Sequence, residues 1–255
     1  MGDEPSTATL PAERRRAVLR KAWSVGIATG LYGVSFGALS VAAGLTIWQT
    51  QALSALMFTG GSQFAFVGIV AAGGLAAAPA AIATATMLSI RNGLYALSTR
   101  RFLAPADGHL HPARRAAAAH LTIDESSAVG LAQPEPEAAR LGFWHTGIAA
   151  FLFWNLMTLV GALAGSVIGD PATYGLDGAA VAAFLALLWP RLQAADGRLT
   201  AAVAAVLALV AVPFVPAGVP VLIAALAAVL VGLRRGAAGS VVAPPDPRTD
   251  GDVLP

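Results

Sequence analysis

The chain has 255 residues, of which 56% are hydrophobic and only 12% charged, with a formal net charge of +2. Soluble proteins carry charge on roughly 25% of their residues, and here the sixteen basic and fourteen acidic side chains are crowded at the ends and in one connection. An ordinary soluble fold is excluded, and the remaining surface must meet lipid. The absence of cysteine removes disulfide frameworks, thiolate metal sites and cysteine nucleophiles, and no cofactor motif or metal-ligand cluster stands out.

Residues 1–22 read as a basic cytoplasmic segment, with Arg14, Arg15, Arg16, Arg20 and Lys21 set directly before Trp23. The apolar run from Trp23 to Leu45 spans about 23 residues, or roughly 34 Å as a helix, enough to cross the hydrocarbon core. It is too long for the apolar part of a signal peptide. Further apolar runs cover Gln51 to Gly73, Ala76 to Leu97, Phe143 to Ile168, Gly178 to Trp189, Leu199 to Val212 and Val219 to Leu233. None alternates with period two, so the expected fold is all-α: a polytopic transmembrane helical bundle of about seven membrane segments. Residues 23–236 are expected to form one transmembrane domain with a long connection over 99–142. Residues 237–255, rich in Gly, Pro and Asp, read as a disordered tail.

Basic residues flank Trp23, occupy Arg100 to Arg115, sit at Arg191 and Arg198, and follow the last run at Arg234 and Arg235. If basic connections are cytoplasmic, the second half fits four crossings that start and end inside. Three full crossings in the first half would instead leave Arg100 and Arg101 outside. One segment there should therefore be broken or re-entrant. Gln51 to Gly73 is the candidate, because Phe58-Thr59-Gly60-Gly61-Ser62-Gln63-Phe64 interrupts it with residues poor at holding a helix in lipid. Two other repairs fit: a partial insertion within Ala113 to Ala132, or a true exception to the charge rule. A weak similarity between Gly37-Ala38-Leu39-Ser40 with the run from Gln51 and Gly161-Ala162-Leu163-Ala164 with the run from Ala179 points to an internal two-fold repeat, although composition alone produces such matches.

Arg91 stands apart, because it falls deep within Ala76 to Leu97 while the other cations lie at segment ends, in the connection or in the tails. A guanidinium in hydrocarbon costs about 2.5–3.5 kcal/mol even on lenient insertion scales, so it should face the bundle interior and find a partner. Its planar fork suits a substrate carboxylate. A structural ion pair or a side chain reaching for the interface accounts for it without function. Tyr95 shares the helix face of Arg91 and Asn92 is adjacent, so the three could line a polar wall, with packing as the alternative for Tyr95. Gly60, Gly61, Ser62 and Gln63 combine flexible backbone with two polar side chains in mid-segment, where unwound backbone can receive a substrate or ion. Ser62 beside glycine also invites an intramembrane hydrolase. That chemistry needs a base, and His109, His111 and His120 lie in the connection while His145 opens a segment. Thr122-Ile123-Asp124-Glu125 matches a capping box in which Thr122 caps a helix and Glu125 reaches back. Equally, Asp124 and Glu125 could exchange protons or meet a substrate ammonium group. Asn155 is expected to hydrogen-bond between helices, with lining a path as the other reading.

Together, Phe36-Gly37-Ala38-Leu39 through Ala43-Gly44-Leu45, the Gly60 to Phe64 block, Arg91 with Leu94-Tyr95, Thr122 with Asp124-Glu125, and Gly161 followed by Asp170-Pro171 and Gly175-Leu176-Asp177 resemble the AzlC family, large subunits of branched-chain amino-acid permeases. The resemblance runs from about Gly26 to Leu233. It implies a plasma-membrane, multi-pass permease component that exports branched-chain or other hydrophobic amino acids together with a small membrane subunit, AzlD, and that is not an enzyme. The family pattern around the arginine usually reads Asn or Asp, any residue, Arg, His, any residue, Leu, Tyr. Here Ser89 and Asn92 take the first position and the His position, which removes a titratable imidazole. A non-transporting membrane scaffold is the alternative reading. Nucleotide hydrolysis is disfavoured, since no Gly-rich phosphate loop ending in Lys and Ser or Thr is present.

Overall fold

The computed structural model describes residues 10–104, 111–168, 185, 188–216 and 219–238. They divide into two units that part between Leu187 and Leu188, each taken by itself here. The regular elements among the described residues are all helical. The first unit contains α1 (Ala12–Leu31), α2 (Gly33–Ala42), α3 (Ile47–Leu56), α4 (Gly60–Gly73), α5 (Ala78–Leu103), α6 (Pro112–His120), α7 (Asp124–Leu131) and α8 (Pro136–Ile168). The second contains α9 (Ala195–Ala211) and α10 (Val219–Ala238), which pack on each other. Among the described residues, three stretches are long and apolar enough to cross a membrane: Ala12–Ala42, Gly60–Leu103 and Pro136–Val167. The expected all-α, membrane-type fold is therefore observed.

Arg14, Arg15, Arg16, Arg20 and Lys21 form the first turns of α1, which continues into the apolar run and turns at Tyr32 before α2. Gly26, Gly30, Gly33 and Gly37 present a face without side chains, and α8 lies directly on it. A Cβ at any of the four would collide with α8 between Thr146 and Ala162. Both chains advance in the same direction through this contact, Gly26 against Ala149 and Gly37 against Ala162, so α1–α2 and α8 run parallel. Gly161 and Gly165 return the contact onto Val34 and Ala38. Small residues on both sides allow the close backbone approach that stabilises helix pairs in lipid.

After α2 the chain reverses at Gly44, whose φ of +90° suits glycine. Thr46 caps α3 in a reciprocal capping box with Gln49. Then α3 crosses α8, Gln51 Nε2 reaching the Asn155 carbonyl at 3.2 Å and Ser54 Oγ the Thr158 hydroxyl at 3.3 Å, and beyond its end Phe58 packs edge-on to Phe151 at 5.1 Å. The chain turns at Met57 to Thr59, and α4 climbs back, so that Gly44 and Leu45 border the same groove as Val70, Gly74 and Leu75. Thus α3 and α4 form a hairpin that enters and leaves on one side. The break lies at Met57 to Thr59 and not at Gly60 to Gln63, which form the first turn of α4. Gln63 fixes the hairpin by donating to the carbonyls of Leu53 at 3.0 Å and Ser54 at 3.2 Å, which belong to the last turn of α3.

A short turn at Gly74–Ala77 leads into α5, antiparallel to α4, with Ser62 opposite Ser89 at 3.0 Å between hydroxyls. Further down, Phe102 meets Phe143 near the start of α8. Residues 112–131 form a second hairpin. Arg114 stacks over Trp144, α6 rises until His120 reaches Phe151, and α7 descends until Gly130 lies against Phe102 and Phe143. The two hairpins enter from opposite sides, and their tips meet where Phe58, Leu121, Ile123 and Trp154 share one apolar cluster. Because α3–α4 crosses nothing, the start of α1 and the end of α5 fall on the same side of this unit. The basic residues Arg14 to Lys21 and Arg100 to Arg115 therefore share a side, as the charge pattern requires. Both candidate segments, Gln51 to Gly73 and Ala113 to Ala132, contain helical hairpins.

The expected segment Gly178 to Trp189, the second half of the proposed repeat from Gly169 to Ala179, and the tail beyond Ala238 lie outside the described residues, Leu185, Leu188 and Trp189 apart. The helix of the last apolar run continues past Leu233 through Arg234 and Arg235 to Ala238.

Candidate functional site

Where the hairpin tips meet α1, α5 and α8 there is a cavity of about 260 Å³. It is slightly smaller than the roughly 300–1,000 Å³ of pockets for drug-sized ligands, which limits it to a small molecule. Its polar wall is made by Arg91 on α5 with Asp124 and Glu125 on α7, and its apolar wall by Phe58, Phe64, Ile123 and Trp154. Thr29 and Tyr32, at the turn between α1 and α2, complete it.

Arg91 Nη1 lies 2.9 Å from Asp124 Oδ2, an ion pair whose side chains are 34% and 29% exposed. Being open to the cavity on one side, the pair is solvated enough to exchange partners, and its strength is that of a partly screened bond. Arg91 Nε and Asp124 Oδ1 are buried and have no hydrogen-bond partner. Each half of the pair thus retains unused hydrogen-bonding capacity. Gly61 gives the guanidinium room: a Cβ there would sit 3.1 Å from Arg91 Nη2, a tight contact that the side chain would have to shift slightly to relieve.

Two helix N-termini converge on this spot. Thr59 caps α4 without a side-chain hydrogen bond, which leaves the first-turn N–H groups of Gly60 and Gly61 at the cavity wall. The start of α7 is built differently from the expected capping box. Thr122 donates to the Ala118 carbonyl at 2.7 Å and belongs to the end of α6. Ile123 is the N-cap, and Ser126 performs the reciprocal role, its hydroxyl accepting from Ile123 N–H at 3.1 Å and donating to the Leu121 carbonyl at 2.6 Å. Glu125 is thereby released from capping. Asp124 and Glu125 occupy the first two positions of α7, where the helix dipole favours negative charge. Glu125 faces the cavity with part of its surface but is otherwise enclosed. Burial raises its carboxyl above the usual range, and Asp124 adds to this; the α7 backbone, Arg91 and a hydrogen bond with Thr29 pull the other way. With one cation and two carboxyls, the site carries an excess negative charge whenever Glu125 is ionised.

The cavity brings together Gly60, Gly61, Arg91, Asp124 and Glu125 from the residues singled out in the sequence, and leaves the others behind its wall. Ser62 is buried and paired with Ser89, not with a base. Gln63 is committed to the α3–α4 hairpin. Asn155 donates to the Phe151 carbonyl at 2.8 Å and accepts from Gln51 at 3.3 Å, so it bonds between helices. Asn92, with its Oδ1 buried and unpartnered, and Tyr95 lie on α5 away from the lining. Sequence reasoning missed Thr29, Tyr32, Phe58, Phe64, Ile123 and Trp154. Only the aromatic density around the Gly60 block and beside Asn155 hinted at them, and that density reads equally as packing.

No curated protein and no solved structure matches the chain. The family model described as AzlC protein matches residues 24–168, more than half of the chain and every residue that lines the cavity. The chain accordingly belongs to the AzlC family and is a membrane-embedded, transport-related protein.

Proposed function

We propose that this chain is the large subunit of a plasma-membrane permease that exports hydrophobic amino acids, branched-chain ones among them, together with a small membrane subunit of the AzlD type. The observation that carries the reading is the Arg91–Asp124 ion pair at 2.9 Å, facing a cavity whose opposite wall is aromatic. A zwitterion can replace that pair charge for charge. Its carboxylate takes Arg91 and the N–H groups at the start of α4, and its ammonium takes Asp124 and Glu125. No buried charge is then left without a partner, which is what makes exchange affordable in a low-dielectric site. Phe58, Phe64 and Trp154 accept an apolar side chain. The shared basic side of the first unit supports a cytoplasmic N-terminus under the charge rule.

The test is flux of radiolabelled leucine, isoleucine, valine and methionine in vesicles, with and without the small subunit and with lysine and glutamate as controls. The reading expects saturable flux of the apolar amino acids and little of the charged ones. Equal background rates for all six, in vesicles where the chain is inserted, would favour a scaffold without transport.

A further inference from the structure

A second cavity, of about 750 Å³, lies between α5 and α6 at the basic end of the first unit. Its two charged lining residues are Arg100 and Arg115; both are exposed, and no acidic residue among the described ones pairs with either. The hydroxyls of Thr99 and Thr122 in the same wall already donate to the Tyr95 and Ala118 carbonyls, so the arginines supply the free donors. Most of the remaining lining is apolar, and Leu97 is 70% exposed. Depth matters here. Arg100 follows Arg91 by about 14 Å of helix, and Arg115 precedes the hairpin tip at Ile123 by about 12 Å. If the hairpin tips meet near the bilayer centre, both guanidiniums reach the boundary of a hydrocarbon core about 30 Å thick, where lipid phosphates begin. An open apolar cleft of this size in a bilayer does not stay empty, because a void forfeits the contacts that a chain would make with its walls.

We propose that the cleft between α5 and α6 binds an anionic phospholipid of the leaflet on the basic side, its phosphate held by Arg100 and Arg115 and its acyl chain lying along Ala96, Leu97, Ala118 and Ala119. The charge complementarity of two cations that have no acidic partner among the described residues, set above an apolar slot, selects this occupant. Because α6 leads directly into the hairpin tip beside the Arg91 cavity, the lipid also braces one wall of that cavity.

The experiment is native mass spectrometry of the purified full chain titrated with phosphatidylglycerol, with phosphatidylcholine and with glycerol phosphate. The expected result is retention of phosphatidylglycerol alone, weakened about tenfold or more in Arg100→Gln/Arg115→Gln. The control Arg15→Gln/Arg16→Gln removes the same charge from the same side and should bind like the wild type. Thermal unfolding of both variants checks that they are folded. Equal retention of phosphatidylcholine, full binding of glycerol phosphate without acyl chains, undiminished binding in the Arg100/Arg115 variant, or displacement of the lipid by the small subunit would each overturn the proposal.

Discussion

Asp124 is the residue on which the chemistry turns, because it holds Arg91 at 2.9 Å while Glu125 beside it has no cation at bonding distance among the described residues. Replacing Asp124 with Asn keeps the shape and removes the charge that would meet an ammonium group. Leucine flux should then fall by roughly a hundredfold, with Asp124→Glu recovering part of it. Glu125 gives a separate test. Its carboxyl is raised by burial, so its neutral form is favoured in the fold. The stability this contributes is complete below the ordinary carboxylate range and is lost as pH rises through the raised value. Thermal stability of the wild type should therefore decline over that interval, and Glu125→Gln should flatten the decline. Arg91 was legible in the sequence because a cation deep in an apolar run demands a partner. The identity of that partner was not, since Thr122 to Glu125 also fits a capping motif and only the fold shows Ser126 taking the capping role. Asn92, which stands at the family's histidine position, does not line the cavity.

At the scale of elements, the parallel seam between α1–α2 and α8 is the most constrained feature. Gly37→Ala and Gly161→Ala each place a methyl group into the backbone of the facing helix. Each should cost about 1–3 kcal/mol or more, read as a fall in the thermal unfolding temperature in detergent. Gly68→Ala and Gly93→Ala meet nothing and should leave that temperature nearly unchanged. The charge pattern pointed to Gln51 to Gly73, with Ala113 to Ala132 as an alternative, but could not show that each folds as a hairpin. The turn of the first hairpin came three residues early because Gly60 and Gly61, poor helix formers in isolation, are held helical by Gln63 bridging back to α3. The basic N-terminal cluster joins α1, because its Ala, Glu, Arg, Leu and Lys residues are themselves good helix formers.

For the first unit as a whole, two hairpins entering from opposite sides predict a definite pattern of accessibility. The chain has no cysteine, so each introduced one is unique. Ala113→Cys should react with a membrane-impermeant maleimide from the side that carries the N-terminus, Trp48→Cys from the other, and Thr59→Cys only slowly from either. Labelling of Ala113→Cys and Trp48→Cys from one common side would contradict the topology. This architecture was legible only as a count of segments and a conflict in their charges. That the conflict is resolved by tips meeting around an ion pair depends on contacts between residues far apart in the chain, such as Phe58 with His120 at 5.9 Å, which no local pattern encodes.

The most direct measurement is leucine counterflow in vesicles containing Arg91→Gln, compared with wild type at equal insertion. The account predicts a fall of roughly a hundredfold, to background, with thermal stability and small-subunit association retained. Counterflow at the wild-type rate would contradict it, because a zwitterion would then be crossing without the guanidinium that its carboxylate is meant to meet.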